Sequence, residues 1–194
     1  MPRPKGKTLT PQDILDVAII LLETQGVDDF SINQLARALA IKPPSLYNHF
    51  AGDENIRRSI RLEGWKRIAE QCLPDIQSND HPVDLIQRTT TKCREFAIEN
   101  PALYLFTIQH PFPQSDIEFS PILDHILDVY VTILTPFGLG KEDTLHAARL
   151  LHSSVHGFLL NEILGFFSAV DSTASSFAWM VDHLIESFLP KQVV

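Results

Sequence analysis

The sequence has little cysteine, no long apolar run and no overall excess of positive charge. Its two cysteines, Cys72 and Cys93, form neither a CxxC pair nor a secreted-type disulfide framework, so we expect two reduced, buried thiols. No stretch of the ~18 apolar residues that a membrane span needs is present, and a basic, apolar leader is missing. We therefore expect a cytoplasmic protein with no membrane partner.

Motifs of the common enzyme classes are also missing. The sequence contains no nucleophile elbow, no phosphate-binding glycine loop and no HExxH pair. His152 and His156 are four residues apart on a predicted helix, a spacing that suits a metal ion. No third ligand is evident, and packing beside Gly157 is the alternative. We expect neither an enzyme nor a bound cofactor or metal ion.

Positive charge is scarce but unevenly distributed. The chain has 16 Lys and Arg against 24 Asp and Glu, a formal net charge of −8. Residues 1–67 carry ten of the basic and eight of the acidic residues, so the remainder carries six and sixteen. Only the first third of the chain therefore suits a negatively charged partner such as nucleic acid.

Helix signals open the chain. Thr10 is a hydroxyl N-cap followed by Pro11, apolar residues then recur at helical spacing, and Gly26 is a C-terminal stop. Ser31 and Gln34 form a capping box that begins a second, short helix. Two helices are therefore predicted before residue 40.

The segment 43–50 predicts a third helix that is short and separate. Its two opening prolines can begin a helix but cannot lie inside one. Leu46 and Phe50, four residues apart, would face inward. The polar outer face then consists of Tyr47, Asn48 and His49. Two short helices joined by a tight turn, the second with a polar outer face, are the ingredients of a DNA-reading helix-turn-helix.

The remaining chain repeats the helical pattern, with little strand-like alternation. The predicted helices cover residues 53–74, 82–99, 104–108, 121–134, 142–167 and 173–189. The predicted fold class is all-α.

The residues of the helix-turn-helix resemble a known family. The segments that carry the resemblance are Phe30-Ser31-Ile32, Leu35-Ala36 and Ala40-Ile41-Lys42-Pro43-Pro44-Ser45-Leu46-Tyr47-Asn48-His49-Phe50. They are similar to the signature of TetR-type repressors over about residues 10–67, and Val155-His156-Gly157-Phe158 is similar to a ligand-domain subgroup with a His-Gly motif. The resemblance implies a DNA-binding domain over residues 1–52, a linking helix over 53–74 and a helical effector-binding and dimerisation domain over 75–194.

The resemblance also implies how double-stranded DNA is contacted. Phosphate contacts position such a protein, whereas base-edge contacts set its sequence preference. The positions that match phosphate contacts are Ser31, Ser45, Tyr47 and His49. The positions that match base-edge contacts are Asn33, Lys42, Pro43, Pro44 and Asn48.

Two residues depart from the family pattern. Asp53 stands where the family places a phosphate-binding lysine, and an acid there suits the helix dipole but repels DNA. Ala40 replaces the turn glycine, which puts the usual turn geometry in question. A compensating basic arm would consist of Arg3, Lys5 and Lys7, with a solvated tail as the alternative. The basic residues interpreted as a solvated helix face are Arg57, Arg58, Arg61, Lys66 and Arg67.

Short recognition helices bind specifically as pairs, on half-sites about one helical turn, ~34–36 Å, apart. The last two predicted helices are too apolar for a simple surface layer, and the resemblance implies a four-helix homodimer interface. A purely internal core is the alternative. The predicted interface residues are Ser153, Gly157, Phe177, Val181, Leu184 and Phe188.

A pocket for a small lipophilic effector is implied among the middle helices. The predicted pocket residues are Phe96, Tyr104, Phe106, His110, Phe112, Tyr130 and His152. Aromatic residues at helical spacing also pack in cores, which is the alternative.

Together these features predict a ligand-responsive transcriptional regulator. We expect a repressor that binds a palindromic operator as a dimer and is released by its effector. The alternative, suggested by Asp53 and by the weak basic charge, is a dimeric small-molecule sensor that has lost specific DNA binding.

Overall fold

The structure is a computed structural model that describes residues 9–77, 79–109, 111–113, 115–167 and 173–189. Its elements are α1 (Pro11–Gln25), α2 (Ile32–Ala38), the 3-10 helix η1 (Pro43–Asn48), α3 (Asp53–Cys72), α4 (Pro82–Glu99), α5 (Pro101–Ile108), α6 (Ser120–Leu134), the 3-10 helix η2 (Thr135–Phe137), α7 (Lys141–Ile163) and α8 (Thr173–Phe188). These ranges contain no β-strand, which confirms the all-α prediction. None of these helices alone is long and apolar enough to cross a membrane. Ser120–Phe137 and Lys141–Ile163 meet that test only as a pair bent by 117°.

The helices form two compact units. The first contains the chain up to Lys66 together with Asn100–Pro113, and the second contains Arg67–Glu99 and the chain from Gln114 onward. The division expected from the sequence assigned all residues from 75 to one C-terminal domain. The structure instead groups α5 with the helix-turn-helix.

The first helix, α1, is fixed at both ends by the residues that the sequence indicates. The Thr10 hydroxyl accepts the amide of Asp13 at 3.1 Å, and the Asp13 carboxylate accepts the amide of Thr10 at 2.9 Å, which completes a capping box. Gly26 ends the helix with φ of 87°, a conformation that favours glycine. The buried face of α1 packs against α2 and α5.

A carboxylate from α1 holds the start of α5. Glu23 accepts the amides of Ala102 at 3.2 Å and Leu103 at 2.7 Å. These amides have no partner inside α5, and the helix dipole favours negative charge at this end. Glu23 therefore explains why a helix from the middle of the sequence belongs to the N-terminal unit.

Helices α3 and α5 approach each other closely at Gly64. A Cβ atom placed on Gly64 would lie 1.9 Å from Oγ1 of Thr107 on α5. Thr107 is fully buried, and within the described residues its hydroxyl has no hydrogen-bond partner. The missing side chain at position 64 is thus what allows the two helices to pack.

In the second unit, α4 packs against α6, α7 and α8. Arg94 of α4 donates to Glu162 of α7 at 2.6 and 3.0 Å. Burial alone would raise the pKa of Glu162, but the hydrogen bonds from Arg94 and Thr173 outweigh burial, so its pKa is lowered.

Cys72 and Cys93 are buried, unbridged thiols, as expected. The hydrogen bond with Cys72, together with burial, raises the pKa of Cys93 well above its usual range, which disfavours the reactive thiolate.

We predict that Gly64→Ala destabilises the protein by about 1–3 kcal/mol, the usual cost of overpacking, because the new methyl group overlaps Thr107. Urea unfolding measures the loss. The double variant Gly64→Ala/Thr107→Ala removes the overlapping hydroxyl and should recover part of the stability. A Gly64→Ala protein as stable as the wild type would mean that α3 and α5 separate without cost.

Candidate nucleic-acid interface

The short helix η1 is fastened to the first unit through its inner side. Leu46 and Phe50 are buried, as the sequence predicts. The predicted helix is a 3-10 helix rather than an α-helix. Its two opening prolines donate no amide hydrogen bonds, and later amides bond three residues back, from Ser45 to Lys42 O at 2.9 Å and from His49 to Leu46 O at 3.0 Å.

The turn between α2 and η1 keeps the geometry that the alanine at position 40 puts in question. Ala40 has φ of 55°, the one positive φ among the described non-glycine residues. Its amide donates to Arg37 O at 3.0 Å, and the amide of Ile41 donates to Ala36 O at 3.0 Å. This is the Schellman pattern of a helix end. The left-handed conformation costs alanine roughly 1–2 kcal/mol, so the surrounding packing must hold it.

The predicted capping box at α2 forms in a modified way. Ser31 accepts the amide of Gln34 at 3.3 Å, as expected. Its hydroxyl also donates to Oε1 of Gln34 at 2.7 Å. The proton that was expected to bond a DNA phosphate is therefore engaged with the Gln34 side chain.

The nine predicted DNA-contact residues all lie on α2, on η1 or directly beside them, and these two elements pack against each other. The exposed members are Asn33, Lys42, Pro44, Tyr47 and Asn48. The half-buried members are Ser31, Pro43, Ser45 and His49. The structure thus gathers the set on one small helix pair. The predicted basic arm of Arg3, Lys5 and Lys7 lies outside the described residues.

Tyr47 has a partner that the sequence did not indicate. Its hydroxyl donates to Oδ1 of Asp53 across 2.6 Å on the protein surface. The hydrogen bond to Asp53 is the main reason why the pKa of Tyr47 is raised. The sequence marked Asp53 as an acid that repels DNA but gave no sign of this bond, because it depends on how η1 and α3 are angled.

The interpretation of the α3 arginines as a solvated face is wrong for Arg57. Its guanidinium lies over the ring of Phe30 at 5.4 Å and over that of Phe106 at 6.0 Å. It also donates to Phe30 O at 3.3 Å, and the two rings meet edge to face at 5.9 Å. Cation–π contact of this kind binds the arginine to the core of the unit.

The same correction applies to Arg58 and Arg61. Their guanidinium groups lie 5.6 and 6.0 Å from the ring of Phe112. Arg61 also pairs with Glu54 at 2.7 Å, and its side chain is only 11% exposed. The sequence pattern missed these contacts because the aromatic partners lie about 50 residues away. Lys66 is exposed as interpreted, and Arg67 is half-buried.

Comparison with known proteins identifies this arrangement. Residues 14–59 match the family described as bacterial regulatory proteins, tetR family, and residues 86–184 match the tetracyclin repressor-like, C-terminal domain. The chain belongs to the TetR family. It is a ligand-responsive transcriptional regulator with an N-terminal helix-turn-helix. The expected His-Gly subgroup stays a prediction.

Two bacterial relatives are similar to most of the chain. The HTH-type transcriptional regulator Rv0681 of Mycobacterium tuberculosis is 28% identical over 166 residues, 86% of this chain and 76% of the relative. The HTH-type transcriptional regulator YobS of Bacillus subtilis is 28% identical over 151 residues, 77% of each chain.

Solved structures share the fold at lower identity. A variant of TetR from Acinetobacter baumannii AYE, in complex with minocycline, has a TM-score of 0.73 and 18% identity and covers 93% of this chain and 97% of its own. BioQ with its natural double-stranded DNA operator has a TM-score of 0.68 and 19% identity, with coverage of 93% and 98%. These likenesses establish the fold.

The predicted effector-pocket residues divide between the two units. Tyr104, Phe106 and Phe112 lie in the first unit, whereas Phe96, Tyr130 and His152 lie in the second. All are buried except the half-buried Phe112 and His152, and His110 lies outside the described residues. Phe112 is occupied by the arginine contacts described above. That these residues line one effector pocket stays a prediction.

A histidine pair lies within the second unit. The rings of His152 and His156 are 4.1 Å apart, and Tyr130 meets His152 edge to face at 6.1 Å. Burial lowers the pKa of His152; burial, assisted by His152, lowers that of His156 to about 3. Both imidazoles are therefore neutral near pH 7. In the part of the chain that the structure describes, no three His, Cys, Asp or Glu side chains are grouped to hold a metal ion.

The predicted dimer-interface residues occupy two different surroundings. Phe177, Val181 and Phe188 are buried within the chain itself, and Leu184 is half-buried. Ser153 is exposed, and the space around Gly157 is open. Exposed apolar side chains on or beside the same two helices include Leu150, Leu160, Leu164 and Trp179. Helical periodicity finds an apolar stripe but cannot say whether it faces the chain's own core or a partner.

We predict that Ala40→Gly stabilises the protein by about 1 kcal/mol, because glycine adopts the left-handed turn conformation without the steric cost of a Cβ. Thermal unfolding of the variant measures the gain. Ala38→Gly, the same change at the end of α2, should instead cost up to about 1 kcal/mol. Equal effects of the two substitutions would mean that the turn at Ala40 carries no strain.

Proposed function

We propose that this TetR-family protein is a repressor that binds a palindromic operator as a homodimer, is released by a small lipophilic effector and acts in the cytoplasm. The outer face of η1 carries the proposal, since its polar side chains are exposed while Leu46 and Phe50 anchor it from within. Neighbours in fold support both kinds of partner, because one was solved with its DNA operator and another with minocycline.

Sequence preference in this proposal comes from three exposed side chains. Asn48 of η1 and Asn33 of α2 each offer a donor and an acceptor that suit adenine, and Lys42 suits guanine. Ser45 and His49 remain available as phosphate contacts at the edges of the groove. Ser31 accepts the amide of Gln34 as the cap of α2 and donates its own proton to the Gln34 side chain.

The dimer interface in this proposal uses the exposed apolar stripe of α7. Leu150, Ser153, Gly157, Leu160 and Leu164 follow one another at intervals of three or four residues and so share one face. Trp179 of α8, which is exposed and stacked on His183 at 3.8 Å, is assigned to the same interface in this proposal. Ser153 and Gly157 stay in the proposed interface, whereas Phe177, Val181 and Phe188 support it from the core.

The effector in this proposal binds within the second unit, near Tyr130, His152 and His156. Two neutral imidazoles can form hydrogen bonds without requiring a charged ligand. A largely apolar ligand with one or two polar groups matches these surroundings. If the effector prefers a conformer whose paired η1 helices are wrongly spaced for the two half-sites, its binding lowers the affinity for the operator.

Selection from a randomised duplex pool at moderate salt tests the DNA proposal. We expect a palindromic site with half-sites about one helical turn apart. Asn48→Ala should weaken binding to that site by about 1–3 kcal/mol and relax the preference at one base pair of each half-site. Asn79→Ala, the same change at an exposed position of the second unit, should leave binding unchanged.

A sensor that lacks specific DNA binding is the second candidate. The Tyr47–Asp53 bond and the three arginines packed on aromatic rings favour it, because they leave few donors for phosphates. Failure to enrich any duplex, even at low salt, would support this candidate and contradict the repressor proposal.

Analytical ultracentrifugation tests the proposed interface. We expect the wild type to be a dimer and Leu160→Glu to be largely monomeric, because a charge on the apolar stripe must be desolvated when the stripe is covered. Leu127→Glu on α6 is the matched control, since Leu127 is 41% exposed and Leu160 is 36% exposed. Dissociation by Leu127→Glu but not by Leu160→Glu would place the interface elsewhere.

A further inference from the structure

We propose that Asp53 is a positioning residue that withholds the Tyr47 hydroxyl from DNA phosphates and thereby lowers affinity for DNA of every sequence. The inference rests on the proposed DNA-binding function and adds a role for Asp53. Its basis is the direct bond between a residue of the candidate interface and the acid that begins α3.

The Tyr47 hydroxyl cannot donate to Asp53 and to a DNA phosphate at the same time. A phenol has one proton to donate, and Tyr47 donates it to Oδ1 of Asp53 at 2.6 Å. This distance lies in the range of charge-assisted O–H···O⁻ bonds, which are stronger than neutral ones. Tyr47 is 46% exposed, so its ring lies where a DNA backbone could approach. A phosphate that uses this hydroxyl must first displace the carboxylate.

The charges around the pair work in the same direction. Asp53 bonds a neutral phenol, so its negative charge still faces an approaching phosphate. The neighbouring acid Glu54 differs, because Arg61 pairs with it at 2.7 Å. Asp53 therefore occupies the hydroxyl of Tyr47 and also repels the DNA phosphate that would accept a hydrogen bond from it.

The consequence concerns affinity rather than sequence preference. Contacts to phosphates carry no direct sequence information, whereas base-edge contacts do. Asp53 engages the Tyr47 hydroxyl, which would donate a hydrogen bond to a phosphate. The base-edge residues in this proposal are different ones, Asn48 and Lys42. We therefore expect Asp53 to lower the affinity for operator DNA and for unrelated DNA by the same factor.

A double-mutant cycle on DNA affinity tests the inference. Asp53→Asn should bind both the selected operator and an unrelated duplex about tenfold more tightly, because a neutral amide oxygen competes for the Tyr47 hydroxyl less well than a charged phosphate does. Tyr47→Phe alone should change affinity by no more than about twofold, because the hydroxyl is already withheld. In the Tyr47→Phe background, Asp53→Asn should gain only about threefold, from the loss of repulsion.

Two results would overturn the inference. Equal gains from Asp53→Asn in both backgrounds would mean that Asp53 acts by charge alone. Weaker binding by Asp53→Asn would mean that the carboxylate prepares Tyr47 for DNA rather than withholding it. Glu54→Gln is the matched control, since it removes one charge from the same helical turn without touching Tyr47, and a tenfold gain from it would also contradict the inference.

A titration without DNA checks the bond itself. Tyr47 is exposed, whereas the other two tyrosines, Tyr104 and Tyr130, are buried. The phenol that ionises first on raising the pH should therefore be Tyr47. Because Asp53 raises its pKa, Asp53→Asn should lower the pH at which phenolate absorbance appears, and Glu54→Gln should not. An unchanged titration in Asp53→Asn would overturn the inference.

The same measurements distinguish a failure of the proposed DNA binding from a failure of the proposed role of Asp53. If neither the wild type nor Asp53→Asn selects any duplex at low salt, the proposed DNA-binding function fails and the inference fails with it. If the wild type selects a site and Asp53→Asn gains no affinity, only the role of Asp53 is overturned.

Discussion

The candidate interface depends on the burial of Leu46 beneath a helix of only six residues. A helix this short is unstable alone, and a 3-10 helix has poorer hydrogen bonds than an α-helix. Leu46 and Phe50 supply the apolar contacts that hold η1 in place. Because the inner side provides that stability, every outward position can carry a polar side chain. The separation of anchor and contact residues is what makes so small an element usable for recognition.

Much of this arrangement follows from the sequence because its causes are local. Thr10 and Gly26 mark the ends of α1 through capping and through backbone freedom, and the predicted helix 82–99 has the observed bounds. Side-chain burial in η1 also follows, since residues four apart share a face. Family resemblance then gives roles to the outward positions that periodicity alone leaves unassigned.

The features that the sequence did not predict depend on contacts between distant segments. Glu23 caps a helix about 80 residues later, and Arg57 packs on Phe106. Such pairs carry no local pattern, so charge counting treated the arginines as solvated. Tyr47 and Asp53 are close in sequence, but their bond depends on the angle between two helices. The 3-10 form of η1 is a finer case, because two prolines indicate where a helix begins and not how tightly it winds.

The absence of a side chain at Gly64 also restricts how the first unit can deform. Sliding α3 by one helical turn along α5 would bring Ile60 or Ile68 opposite Thr107, where the present spacing does not accommodate even a methyl group. The register between these two helices is therefore locked. Sliding of α5 along α3 is therefore opposed by the same close contact that lets the two helices pack.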